Sequence, residues 1–222
     1  MTARKTGKSA DGAALKDAIL EAALAHAPFD GFTDAALARA GAEAGADKAA
    51  VARLFPDGPR SLVEAFSEDA DRKMETALAK QKLSVMKIRE RIKTAVLARL
   101  DALRPHKEAA RRAAAFLTLP PHAPLALKLL YRTVDAMWRA VGDTSTDFNF
   151  YTKRAILAGV WSATLLRWFT DRSEGEADTR AFLDRRIEEV MRFEKFKAQV
   201  KERAAKLPSL GDILSRVSPR RS

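Results

Sequence analysis

Apolar side chains recur at intervals of three and four residues along almost the whole of this sequence, and the rhythm breaks chiefly at Pro and Gly. That spacing lines up one face of an α-helix, whereas a half-buried strand would need alternation by two. No convincing alternating stretch is present, so the pattern predicts an all-α fold. Ala, Leu, Arg, Lys and Glu are abundant, and these residues lose little side-chain freedom in a helix. The length, 222 residues, is enough for one sizeable core.

The breaks set an expected order of helices. A first helix is expected over 13–27, with Leu15, Ile19 and Ala23 on one face and Pro28 and Gly31 closing it. Thr33 reads as an N-cap, its hydroxyl able to accept a free backbone N–H of the next turn. Two short helices near 34–44 and 48–55 turn at Gly45. Pro56, Gly58 and Pro59 interrupt the chain, and Ser61 with Glu64 has capping-box spacing for the start of a longer helix. Further helices are expected near 84–103, 106–118, 124–141, 147–171 and 174–206, with a second capping-box pair at Ser173 and Glu176. Pro208 sets apart a last segment, Ser209 to Val217. The expected division is a disordered basic N-terminus over 1–12, a degenerate helix-turn-helix-like region over 13–58, a C-terminal helical domain over 59–206 and an amphipathic basic tail over 207–222.

Chemistry is hard to find. There is no Cys, which excludes disulfides, thiolate metal sites and Cys nucleophiles. His26, His106 and His122 have neither Glu-x-x-His nor His-x-x-x-His spacing, so di-iron and zinc-protease patterns are missing and ordinary helix-end or surface use is expected. There is no Gly-rich phosphate loop, and Gly41 and Gly45 read as punctuation. The expectation is a protein without catalytic residues, metal or cofactor. The apolar stretch Ala155 to Leu166 is about half the ~20 residues a membrane span needs, so it reads as a buried helix. No apolar run follows the basic start, so no targeting segment is expected.

The net charge of +11 is concentrated at the two ends. Arg4, Lys5, Lys8 and Lys16 stand against Asp11 alone, and residues 195–222 hold eight basic residues against two acidic ones. Basic ends suit a polyanionic surface, either nucleic acid or anionic lipid, or serve only solubility.

Leu15–Leu24, Phe29-Asp30-Gly31-Phe32-Thr33, Ala35–Ala38, Gly45–Val51 and Leu54-Phe55-Pro56 together resemble the N-terminal domain of TetR-type repressors. Such a helix-turn-helix places its second helix in the major groove. Between Thr33 and Val63, however, Arg39, Lys48, Arg53 and Arg60 are matched by Asp34, Glu43, Asp47 and Asp57, and residues 17–32 add Asp17, Glu21 and Asp30 with no Lys or Arg. Duplex binding rests on phosphate neutralisation, so specific DNA is not an expected partner.

Leu129-Leu130-Tyr131-Arg132-Thr133-Val134-Asp135-Ala136-Met137-Trp138-Arg139 and the run Gly142 to Ala155 resemble the Coq-nine family, accessory proteins of ubiquinone biosynthesis. Trp161, Thr164, Leu165, Phe182–Ile187, Val190 and Met191 extend the resemblance, which covers roughly 14–192 and is most specific over Ser145 to Arg154. It implies a TetR-like fold without a repressor role, an apolar lipid cavity, a homodimer and docking to the demethoxyubiquinone hydroxylase. Phe150 stands where animal and fungal members commonly carry Trp, which keeps an aromatic there.

Beside that resemblance, the residues point to sites. Ile156, Val160, Trp161, Thr164, Leu165 and Trp168 cover a broad apolar arc of one helix, with Leu125, Leu129 and Met137 on its expected neighbour. Such residues fill a core or line a lipid-binding cavity. Asp147, Phe150 and Tyr151 begin a helix and are candidates for a protein partner. Leu207, Leu210, Ile213, Leu214 and Val217 form a short amphipathic stripe flanked by Lys206, Arg216, Arg220 and Arg221, a membrane-surface pattern or a packing element. The resulting expectation is a non-enzymatic accessory protein that presents an isoprenoid quinone or phospholipid to the hydroxylase. It would be cytoplasmic and peripheral to the inner membrane. The alternative is a TetR-family transcriptional regulator that binds an apolar effector.

Overall fold

The computed structural model describes residues 3–143 and 148–205, with side chains described over 11–143 and 150–193. Among these residues every regular element is helical. The helices are α1 (Ala3–Asp30), α2 (Asp34–Glu43), α3 (Lys48–Leu54), α4 (Pro59–Ala79), α5 (Ile88–Leu103), α6 (Lys107–Leu117), α7 (Ala123–Ala140), α8 (Phe148–Thr170) and α9 (Ala177–Ala205).

Local chemistry explains most boundaries. Thr33 Oγ1 accepts from Ala36 N at 3.1 Å, as expected of the α2 N-cap. Asp47 Oδ1 does the same for Ala50 N at 2.6 Å and starts α3. Gly45, at φ +72°, makes the left-handed turn between them. Gly41 does more than punctuate. A Cβ there would lie 2.4 Å from Val51 Cγ2, so its lack of a side chain lets α2 and α3 meet.

Three boundaries differ from the expectation. The stretch 3–12, expected to be a disordered arm, continues α1, and α1 also runs past Pro28 to Asp30. Ala23, Leu24 and Ala27 are buried, and that packing holds the last turn although Pro28 donates no hydrogen bond. α4 starts at Pro59, not Ser61, because Pro suits the first helical position. Ser61 Oγ accepts from Asp57 N, and Glu64 pairs with Lys128 and Arg132. α5 starts at Ile88, where Glu90 accepts from Lys87 N, and the preceding turn is held by Arg91, which donates to Ser84 O, Met86 O and, on α7's far end, Val141 O.

One core runs through the molecule. α1 packs on α2 and α6, α4 on α5 and α7, and α8 on α7 and α9. Ile19, Leu24, Leu62, Met74, Leu100, Met137, Trp168 and Leu183 are all buried within it. No single described helix is long and apolar enough to cross a membrane. The tail residues Leu207, Leu210, Ile213, Leu214 and Val217, and Asp147, lie outside the described residues.

Candidate lipid-binding cavity

Helices α4, α5, α6, α7 and α8 surround a cavity of ≈ 270 Å³. Its wall is mainly apolar: Val63 and Phe66 come from α4, Leu103 from α5, Ala110 and Ala113 from α6, Leu129 from α7, and Trp161, Leu165 and Phe169 from α8. Small residues on α6 leave the space that large ones on α4 and α8 then border. Exposed Thr118 and half-buried Leu117, Leu130 and Leu165 form part of its outer edge.

The charged residue of this wall is Arg99 of α5, which is 3 % exposed. Its Nε donates to Asp71 Oδ1 at 2.7 Å, and its Nη2 donates to Ser67 O at 3.2 Å and Ser67 Oγ at 3.3 Å. Thr133 Oγ1, from α7, donates to both oxygens of Asp71, at 2.9 and 3.2 Å. Burial lowers the Arg99 guanidinium from its ordinary value, while Asp71 acts to raise it. It stays protonated at neutral pH, as guanidinium does in proteins. Nη1 is the one arm with no hydrogen-bond partner, and it is fully buried. The Arg99 guanidinium carbon lies 5.8 Å from the Trp161 ring centroid.

The sequence candidates divide between cavity and core. Leu129, Trp161 and Leu165 line the cavity. Leu125, Met137, Val160, Thr164 and Trp168 are buried in the surrounding core, and Ile156 is half-buried outside the wall. The helical repeat explains the split. Trp161, Leu165 and Phe169 follow one another at four-residue steps and share a face, while Val160, Thr164 and Trp168 occupy the next one. Thr164 Oγ1 is taken up by Val160 O at 2.7 Å within its own helix. Trp168 Nε1 donates to Glu176 Oε1.

Sequence reasoning missed Phe66, Arg99, Thr133 and Phe169. Arg99 carried a signal nonetheless. Ile92, Val96, Arg99 and Leu103 step by four, three and four, which puts one charge on the apolar stripe of α5. Asp71 sits likewise between Val63, Ser67 and Met74, Leu78 on α4.

At the start of α8, Tyr151 is 67 % exposed, whereas Phe150 is half-buried with the Arg154 guanidinium carbon 3.3 Å from its ring centroid. Arg154 is itself 5 % exposed and bonds Asp135 and Asp143, which ties α8 to α7. The histidines have structural partners: His26 meets Glu43, His106 lies 3.5 Å from Glu21, and His122 stacks on Phe116.

In the helix-turn-helix region, exposed Arg39 is held by Asp30 and Glu43. The exposed residues of α3 are Lys48, Ala49, Ala52 and Arg53.

The fold is TetR-like. A TetR transcriptional regulator from Nitrosomonas europaea superposes with a TM-score of 0.63 over 78 % of this chain and 95 % of that one, at 22 % identity. Residues 123–194, from α7 into α9, match the family model described as COQ9. The ubiquinone biosynthesis protein COQ9 of Rattus norvegicus, named as mitochondrial, is 38 % identical over 82 % of this chain and 61 % of its own length. The human protein of the same name is 36 % identical over 84 % and 61 %, and that of Drosophila melanogaster 33 % over 86 % and 60 %. The chain thus spans about three-fifths of the length of these relatives. Identity carried across four-fifths of its residues, on a TetR-like frame, makes this chain similar to the COQ9 proteins.

Proposed function

We propose that this protein is a non-enzymatic accessory factor of ubiquinone biosynthesis that holds an isoprenoid quinone intermediate, or a phospholipid, and presents it to the demethoxyubiquinone hydroxylase. The observation that carries this reading is the apolar cavity between α4 and α8, walled by Phe66, Leu129, Trp161 and Phe169. An apolar wall with few polar groups binds through buried area. The relatives' names supply the pathway. The protein works as a homodimer, peripheral to an inner membrane, with 207–222 as the membrane-binding segment. Exposed Leu166 on α8 and Phe193 on α9 offer apolar surface for pairing.

The test is extraction and mass spectrometry of protein purified under native conditions. Co-purified quinone or phospholipid is the expected result. Monodisperse protein that complements a deletion strain yet carries no lipid overturns the reading.

The TetR-like frame also raises a regulator that binds an apolar effector. Two alanines and two basic residues are what α3 offers to a major groove, and Arg39 is already paired. Footprinting with competitor DNA at physiological salt is expected to reveal no discrete operator. A protected operator would replace the accessory reading with the regulator.

A further inference from the structure

We propose that the turn between α4 and α5 touches an anionic lipid surface, as a second contact apart from residues 207–222; this rests on the membrane-peripheral reading above. The segment 80–91 carries Lys80, Lys82, Lys87, Arg89 and Arg91 against Glu90 alone. Arg91 is spent inside the turn, on the backbone carbonyls of Ser84, Met86 and Val141, and Glu90 accepts from Lys87 N at 3.1 Å. Lys80, Lys82, Lys87 and Arg89 are exposed and meet no carboxylate among the described residues, whereas Lys73 and Lys93 on either side pair with Asp69 and Asp184. Among these cations Val85 is 81 % exposed and Ile88 46 %.

The backbone of this turn is fixed from within. Leu83 packs against the core and Arg91 ties three carbonyls together, which leaves Val85 and Ile88 facing water. Single exposed apolar side chains are ordinary. Two of them among four unpaired cations match a bilayer surface, where hydrocarbon lies just beneath anionic headgroups. A single-stranded nucleic acid would stack its bases on aromatic rings, and 80–91 contains none. A stable protein partner needs roughly 800 Å² a side and aromatic or Arg anchors in packed pockets, which two aliphatic side chains do not supply. A lipid surface demands no matching shape. The course of α9 agrees with this placement. Arg104 at the end of α5 bonds Glu176, and Lys93 pairs with Asp184, so α9 runs antiparallel to α5 and toward this turn, and 207–222 follows α9 in the chain.

The test uses the full chain. Because the chain holds no Cys, Val85→Cys gives a single site for a nitrobenzoxadiazole label, and Ala49→Cys, on the exposed face of α3, gives a control. On vesicles of equal parts phosphatidylglycerol and phosphatidylcholine, the label at 85 is expected to brighten and shift to the blue, while the label at 49 stays as in water. Lys80→Gln, Lys82→Gln, Lys87→Gln and Arg89→Gln together should weaken partition onto these vesicles by about tenfold or more, since each basic residue near an anionic leaflet is worth about fivefold. The helicity and Tm of that variant should not change. A label at 85 that stays in water while the protein floats overturns the proposal and leaves 207–222 as the contact. An equal shift on phosphatidylcholine alone overturns it, and so does a shift that appears only when the demethoxyubiquinone hydroxylase is added, which would make the turn a protein contact. Full chain that floats with neither vesicle removes the membrane-peripheral reading as well. If the Gln variant does not fold, the label at 85 decides.

Discussion

Trp168 Nε1 donates to Glu176 Oε1 at 2.6 Å, and the same carboxylate receives Arg104 Nη2 at 2.8 Å, so one side chain joins α8, the entry to α9 and the end of α5. Trp168 is 0 % exposed, so shortening Glu176 takes the hydrogen-bond acceptor from a buried N–H. Glu176→Ala should therefore cost about 1–3 kcal/mol in urea denaturation. A loss below about 0.5 kcal/mol, the size of an ordinary surface change, would mean the contact is incidental.

Asp171 closes the same corner. Burial acts to raise its carboxyl, but hydrogen bonds from the hydroxyls and backbone N–H groups of Ser173 and Thr179 overcome this and hold it below the usual carboxylate range. A carboxyl with a depressed folded-state pKa contributes stability above its unfolded value, and that contribution fades as pH falls through the folded one. Asp171→Asn should lower Tm clearly at pH 6, and the gap should narrow steadily below about pH 4. A gap independent of pH would show that the carboxylate charge is not what stabilises the corner.

Arg99 and Asp71 form a buried ion pair between α5 and α4. Arg99→Met alone should destabilise by about 3–5 kcal/mol, because it strands the Asp71 charge. Adding Asp71→Leu should recover part of that loss. Strictly additive losses in denaturant titrations would contradict the coupling.

Tyr151 and Phe150 are neighbours with different surroundings. Tyr151 is mostly exposed, while Phe150 lies under Arg154. Tyr151→Ala should abolish capture of the demethoxyubiquinone hydroxylase with Tm unchanged, whereas Phe150→Ala should also lower Tm through lost packing. Full capture by the Tyr151 variant would move the partner surface elsewhere.

Removal of 207–222 should reduce flotation with acidic liposomes, and the reduction should shrink at high salt, because nearby Lys and Arg add about 1 kcal/mol each at an anionic leaflet. The circular dichroism of the remaining chain should keep its helical form. Undiminished flotation would place the membrane contact outside this segment, and loss of helicity would make it a packing element.

The sequence alone determined the all-α class and several boundaries, because those depend on interactions within a few residues. Thr33 caps α2 through a hydroxyl three residues from its donor, and the 3.6-residue repeat marks the apolar face of α8, though not the exposure of Tyr151 and Leu166 on the rest of that helix. It also placed Trp161 and Leu165 on a cavity-capable face. Tertiary structure alone decided which apolar residues meet empty space and which meet one another. Trp161 and Trp168 look alike in sequence, yet one borders the cavity and the other is sealed against Glu176, since that depends on which helix lies opposite. It also gave Arg99 its meaning. A lone charge on an apolar stripe signals only that something is unusual, and its pairing with Asp71, 28 residues away, and its one unpartnered arm exist only once α4, α5 and α7 are packed together.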